Sequence, residues 1–143
     1  MKLSTPYSIS LSIPSRVDFV SMARTVVVSG VASVDTLSAD RLDDLRWVVS
    51  EAVTNAIEAN LAVNPEAQVH VDCEILDSEV KVSVTDAGSG MPDLSLVPSI
   101  GDLKNLESEG SMGIPLIKHL TSDYDFSSNE QGTTVRMELR QVS

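Results

Sequence analysis

A chain of 143 residues, 42% of them hydrophobic, suits one compact domain spanning 1–143 that folds without a structural metal or disulfide. Its 10 basic and 21 acidic residues give a net charge of −11, which argues against direct nucleic-acid binding and against an anionic membrane surface, and attracts basic partners. Aromatic residues at 3% leave no platform for stacking on bases, and one cysteine, Cys73, excludes an intrachain disulfide and a zinc cluster.

Tyr7, Ile9, Leu11 and Ile13 alternate with serines, the pattern of a half-buried strand closed by Pro14. Met1–Ser10 holds one Lys and no long apolar run, so no signal peptide is expected; no stretch of about 18 apolar residues occurs, and the expected location is the cytoplasm. Ser15 is a candidate cap for a helix over 16–28, although Val26–Val28 is β-branched and ambivalent by propensity. Ser38 is expected to cap a second helix over 39–61, with an apolar stripe through Leu42, Leu45, Val48, Ala52, Ala56 and Ala59, ended by Asn64-Pro65. Two alternating segments follow, Val69 to Ile75 with Cys73 among their apolar positions, and Val80 to Val84. The short turn at 76–79 predicts that they pair antiparallel. Residues 91–112 are rich in Pro, Gly, Ser and Asp and read as a long lid or binding loop. A helix over 113–120 and two strands around 124–127 and 133–139 close the chain.

Three short stretches carry chemistry when taken together. In Glu51-Ala-Val-Thr-Asn55-Ala-Ile-Glu58, Glu51 and Asn55 are one helical turn apart. A carboxylate beside an amide suits a general base next to a hard-cation ligand, and a solvated polar stripe is the plain alternative. Asp86-Ala-Gly88-Ser-Gly90 ends a strand; the carboxylate can accept from an exocyclic amine and the glycines admit a flat ligand, although such a stretch is also often a simple turn. Gly110-Ser111-Met112-Gly113-Ile-Pro115 opens a helix, where backbone N–H groups suit phosphate.

These stretches, with Gly132-Thr-Thr134 after them, resemble the GHKL (Bergerat) ATPase superfamily, and within it the anti-sigma factor serine/threonine kinases of sporulation and stress control. The resemblance is carried by Val48-Val-Ser-Glu-Ala-Val-Thr-Asn-Ala-Ile57, Met22-Ala-Arg-Thr-Val26 and Gly132-Thr-Thr-Val-Arg136, and it extends over nearly the whole chain. It implies an α/β two-layer sandwich, a mixed, largely antiparallel sheet with three helices on one face. It also implies ATP or ADP with Mg²⁺ as ligands, Glu51 as the base that polarises an attacking serine hydroxyl, and Asn55 as the Mg²⁺ ligand. Asp86 would take the adenine amine with Thr134; Gly88, Gly90 and Met91 would shape the adenine wall; Gly110, Ser111, Met112 and Gly113 would contact the phosphates. Arg24 matches an arginine of the family's protein-binding surface. The implied partners are a sigma factor and an anti-anti-sigma (STAS-domain) protein, and homodimers are implied as well, for which the alternating N-terminal strand is a suitable edge.

The chain departs from the family pattern in three places. Ala59 stands where many members carry His, Ser111 where many carry Gly, and Glu109 near the position of an arginine that neutralises the γ-phosphate, with Lys104 as a possible substitute. The expected function is an anti-sigma factor that phosphorylates a STAS-protein serine. A non-catalytic nucleotide-gated binding protein and an isolated histidine-kinase-like ATPase domain are the alternatives. His70 and His119 do not stand out as phospho-acceptors.

Overall fold

The computed structural model describes residues 6–34, 36–87, 113–130 and 132–141. Strand β1 (Tyr7–Pro14) alternates half-buried and exposed positions as the sequence predicts, with Ile13 fully buried. The first helix begins later than expected. A short 3-10 turn (Val17–Phe19) precedes α1 (Val20–Ala32), and neither has a side-chain cap. Ser15 is not a cap, because its side chain is buried and its Oγ donates to the Ala67 carbonyl at 2.5 Å. The valine run stays helical because Val27, Val28 and Val31 are buried in the core, and packing overrides the weak β-branched preference.

Helix α2 (Ala39–Val63) starts where expected. The Ser38 hydroxyl accepts from the Arg41 N–H, and the helix runs two residues beyond the expected Leu61 before Asn64 ends it. Strands β2 (Gln68–Ile75) and β3 (Glu79–Asp86) form the expected hairpin; α3 (Gly113–Leu120), β4 (Asp123–Asn129) and β5 (Gly132–Arg140) follow. The sheet order is β1-β2-β3-β5-β4, and all four ladders are antiparallel, so the expectation of a mixed sheet holds only in its antiparallel part.

Helix α1 packs on β1 and β2, α2 packs on β2, β3 and β5, and α3 lies against α2 and β4. The side chains beneath this helical layer are aliphatic: Val69, Val71, Val80, Val82, Met137 and Leu139 are fully buried. Cys73 belongs to this core, and burial pushes its thiol up to about 12, which makes it an inert apolar filler. The other face of the sheet is polar. There Ser10 donates to Asp72, Lys81 lies 3.9 Å from Glu79, and Arg140 lies 3.5 Å from Glu138. No described helix is long and apolar enough to cross a membrane.

Candidate functional site

Glu51 and Asn55 lie on α2 beside its buried stripe. Ala52, Val53, Ala56, Ile57 and Asn60 are buried, while Glu51 and Asn55 are half-buried. An α-helix turns about 100° per residue, so the two side chains are about 40° apart around the axis, one turn along it. The polar pair therefore borders the core rather than standing free in water. Burial, and then the charge of Glu58, raise the Glu51 carboxyl above the ordinary carboxylate range. A half-desolvated carboxylate next to a like charge holds a proton more readily than a surface Glu does, the direction a general base requires.

Asp86 is the last residue of β3. Val80, Val82 and Val84 are buried beneath the helices, and strand alternation sets Asp86 on the same side, half-buried at the strand end. In the β3–β5 ladder its partner is Thr133. The ladder partner of Asp86 is thus the residue before Thr134, the threonine that the resemblance sets beside it. Val135, Met137 and Leu139 are buried on the helix side, so Thr133, 4% exposed, shares that face and Thr134 points to the other. The Thr134 Oγ1 instead lies 3.0 Å from the Thr85 Oγ1, whereas the Thr133 hydroxyl is 2.7 Å from that of Ser128. Thr133 was legible from its parity with Val135, Met137 and Leu139. At the strand end Asp86 also borders a small depression of about 180 Å³ with Thr134 and Arg136.

Two features fix the Asp86 end of β3. Gly132 has φ +150°, and a Cβ there would run into the Asp86 carbonyl and the Ala87 Cα, so only glycine lets β5 approach this closely. From the helical layer, the Asn60 Oδ1 accepts from the Ala87 N–H at 2.7 Å. No sequence pattern marked Asn60, which simply continues the apolar stripe of α2.

On the α1 side of α2, a cleft of about 370 Å³ is lined by Arg24, Arg46, Trp47, Ser50 and Glu51. Arg24 spans the two helices, donating to the Ser21 hydroxyl and, at 3.3 Å, to that of Ser50. Trp47 is 58% exposed, and its place off the apolar stripe of Leu45, Val48 and Ala52 is the sequence signal that marks it. Glu51 is thus shared between this cleft and the turn that carries Asn55.

Gly88, Gly90, Met91, Gly110, Ser111 and Met112, with Lys104 and Glu109, lie outside the described residues; Gly113 is the first residue of α3. The described groups fit Mg²⁺·ATP by their chemistry: a carboxylate acceptor and a hydroxyl at the strand end, and an amide oxygen on α2. Among the described residues no cluster of three or more His, Cys, Asp or Glu could hold a metal; an amide oxygen such as that of Asn55 is a ligand type that Mg²⁺ accepts alongside phosphate oxygens and water. His119 is exposed and His70 bonds to the Ser12 hydroxyl on the open face.

Residues 13–139 match the family described as histidine kinase-like ATPase domain. The chain is 36% identical over 120 residues to the anti-sigma F factor of Bacillus subtilis (strain 168), covering 82% of this chain and 81% of that protein. It is 31% identical over 131 residues to the anti-sigma F factor of Oceanobacillus iheyensis, covering 90% and 88%. Among solved structures, the RsbU and RsbW domains of a Mycobacterium tuberculosis protein superpose with a TM-score of 0.68 at 18% identity; the match covers 94% of this chain and 32% of that one, and shows a shared fold.

Proposed function

The chain belongs to the histidine kinase-like ATPase family, among its anti-sigma factors, and from that premise we propose that it transfers the γ-phosphoryl group of Mg²⁺·ATP to a serine of an anti-anti-sigma (STAS-domain) protein. The observation that carries this reading is the place of Glu51. It lines the cleft of Arg24 and Trp47 on one side and stands one helical turn from Asn55 on the other. A serine presented in the cleft reaches the carboxylate from the partner side, while the nucleotide lies between Asn55 and the Asp86–Thr133 strand end.

Mg²⁺·ATP supplies the phosphoryl group and the charge neutralisation. Asp86 accepts from the adenine amine, with the Thr133 hydroxyl beside it on the same face. Asn55 would hold Mg²⁺ through its amide oxygen, and the ion would supply charge neutralisation at the phosphates. Glu51 takes the serine proton as the hydroxyl oxygen forms its bond to phosphorus, and the bond to the ADP oxygen breaks. Transfer of this kind depends on positioning and charge more than on covalent chemistry, so one half-desolvated carboxylate within reach suffices as the base. Arg24 and Arg46 line the same cleft in a protein of net charge −11; Arg46 is paired with Asp43 at 2.7 Å, and Arg24, bonded to two serine hydroxyls, offers a local anchor for acidic groups of the partner. As an anti-sigma factor the chain also binds a sigma factor.

Ala59 favours a second reading, a nucleotide-gated binding protein without transfer, because many members of the family carry His at this position. Incubation with γ-labelled ATP and a STAS-domain partner separates the two. Label on a partner serine, lost when that serine is replaced by Ala, is the expected result. Tight nucleotide-dependent binding with no label would leave the second reading.

A further inference from the structure

Asn60 is fully buried, yet each polar atom of its side chain is engaged. Its Nδ2 donates to the Ser15 Oγ at 2.9 Å and also faces the carbonyls of Gln68 at 3.3 Å and Ala67 at 3.4 Å. Its Oδ1 accepts from the Ala87 N–H at 2.7 Å. The amide cannot be turned over: that would set its NH₂ against an N–H and its oxygen against two carbonyls. One side chain on α2 thus joins the segment after β1, the start of β2 and the residue that follows Asp86.

The Ala87 N–H lies just past the β3–β5 ladder, whose last pair is Asp86 with Thr133. Without Asn60 this half-buried donor loses its partner at the point where β3 leaves the sheet. Gly132 closes on the same point from β5. The strand end is therefore held from both layers, and the peptide that Asn60 holds is the one that carries the Asp86 carboxylate.

We infer that Asn60 is a positioning residue for the nucleotide site, which acts through the Ala87 N–H to hold Asp86 where it meets the adenine amine. The inference rests on the assignment of Asp86 to the nucleotide. It separates Asn60 from Ser15, which shares the same network and, among the described residues, bonds to Ala67 and Asn60 and not to the strand end.

The probe is Mg²⁺·ADP, titrated by calorimetry into the intact chain and into Asn60→Ala, Ser15→Ala and Asp86→Asn, with a thermal melt of each. Amide exchange at Ala87 is followed in the unsubstituted protein and in Asn60→Ala. In the unsubstituted protein the Ala87 amide should be protected like the β3 ladder; free exchange there would overturn the inference even if Asn60→Ala does not fold. Asn60→Ala should weaken Mg²⁺·ADP binding by about tenfold, the scale of one lost hydrogen bond at a ligand-holding group, and release the Ala87 amide. Ser15→Ala should lower the melting temperature and leave ADP affinity as it was. Equal loss of affinity in Ser15→Ala and Asn60→Ala would mean general loosening and would sink the idea, as would unchanged affinity in Asn60→Ala while Asp86→Asn binds weakly. Unchanged affinity in Asp86→Asn would overturn the assignment of Asp86 itself, and this inference with it.

Discussion

Glu51 sits where catalysis and stability pull in opposite directions. Burial, then Glu58, raise its carboxyl above the ordinary range. A carboxyl that binds its proton more tightly in the folded state than in the unfolded one subtracts from stability as pH rises through the window between the two values, and the full loss remains above it. Glu51→Gln removes that ionisation. The variant should therefore melt at a higher temperature than the parent at neutral pH, with the advantage fading as pH falls to the ordinary carboxylate range; melts across that range check it. The same variant should retain nucleotide and lose roughly 10²-fold or more in transfer rate, the scale of a lost general base. In the parent, the acid limb of the rate profile should fall at a higher pH than an ordinary Glu would give. Arg24 offers a second test at this scale. Among the described residues its guanidinium is tethered to two serine hydroxyls and to no carboxylate, so its removal breaks no ion pair there. Arg24→Ala should weaken partner binding by about 2 kcal/mol, as interface arginines do, and leave ADP affinity and melting temperature nearly unchanged. Arg24→Lys should recover little, because an ammonium cannot make the planar two-pronged contact. Calorimetric titration of the partner decides it.

Among the elements, α2 organises the molecule, and Arg41 fastens its first turn. The buried guanidinium donates to the Arg140 carbonyl at 2.7 Å, the Leu120 carbonyl at 2.7 Å, the Asp44 carboxylate at 2.9 Å and the Ser122 hydroxyl at 3.0 Å. Leu120 ends α3, so the helix whose first residue is Gly113 is tied at its far end to α2. Arg41→Met keeps the apolar stem and removes the charge, leaving two carbonyls and Asp44 without their donor. Since Asp44 keeps 30% of its side-chain exposure, the cost should lie near the lower end for a broken buried pair, about 3 kcal/mol by urea unfolding. Arg41→Lys should restore less than half of it, because one ammonium cannot reach all four acceptors. A cost below 1 kcal/mol would mean that water replaces the guanidinium without penalty.

For the molecule as a whole, the nucleotide should act as a structural partner that ties the strand end to α2. A ligand that binds only the folded chain stabilises it by about 2.7 kcal/mol at a concentration about one hundred times its Kd. Mg²⁺·ADP should raise the melting temperature accordingly. Asp86→Asn should weaken binding by about 1–3 kcal/mol through loss of a charge-assisted hydrogen bond, and so shrink the rise at the same ADP concentration. Equal shifts in parent and variant would remove Asp86 from the site.

Much of the architecture was legible without coordinates. The alternation of Val69, Val71, Cys73 and Ile75, the apolar stripe of α2 and the Ser38 cap are local, periodic signals, and each became the element it implied. The spacing of Glu51 and Asn55 also set their shared face, because a helix leaves no other arrangement. The face of Thr133 was readable too, by counting in twos from Val135, but matching the Thr-Thr pair by resemblance put the weight on Thr134. What no local pattern carries is which distant groups meet. Ser15 left its expected capping role because α2 and the start of β2 offered it buried partners 45 and 52 residues away. Asn60 reads as a polar interruption of an apolar stripe until packing sets its amide against the Ala87 N–H 27 residues on, and Arg41 as a surface arginine until it meets Arg140 across 99 residues. Periodicity lies in the chain itself, so the sequence determined the elements and their apolar faces; a buried hydrogen bond exists only where two layers close, so the tertiary structure alone decided how the strand end at Asp86 is held.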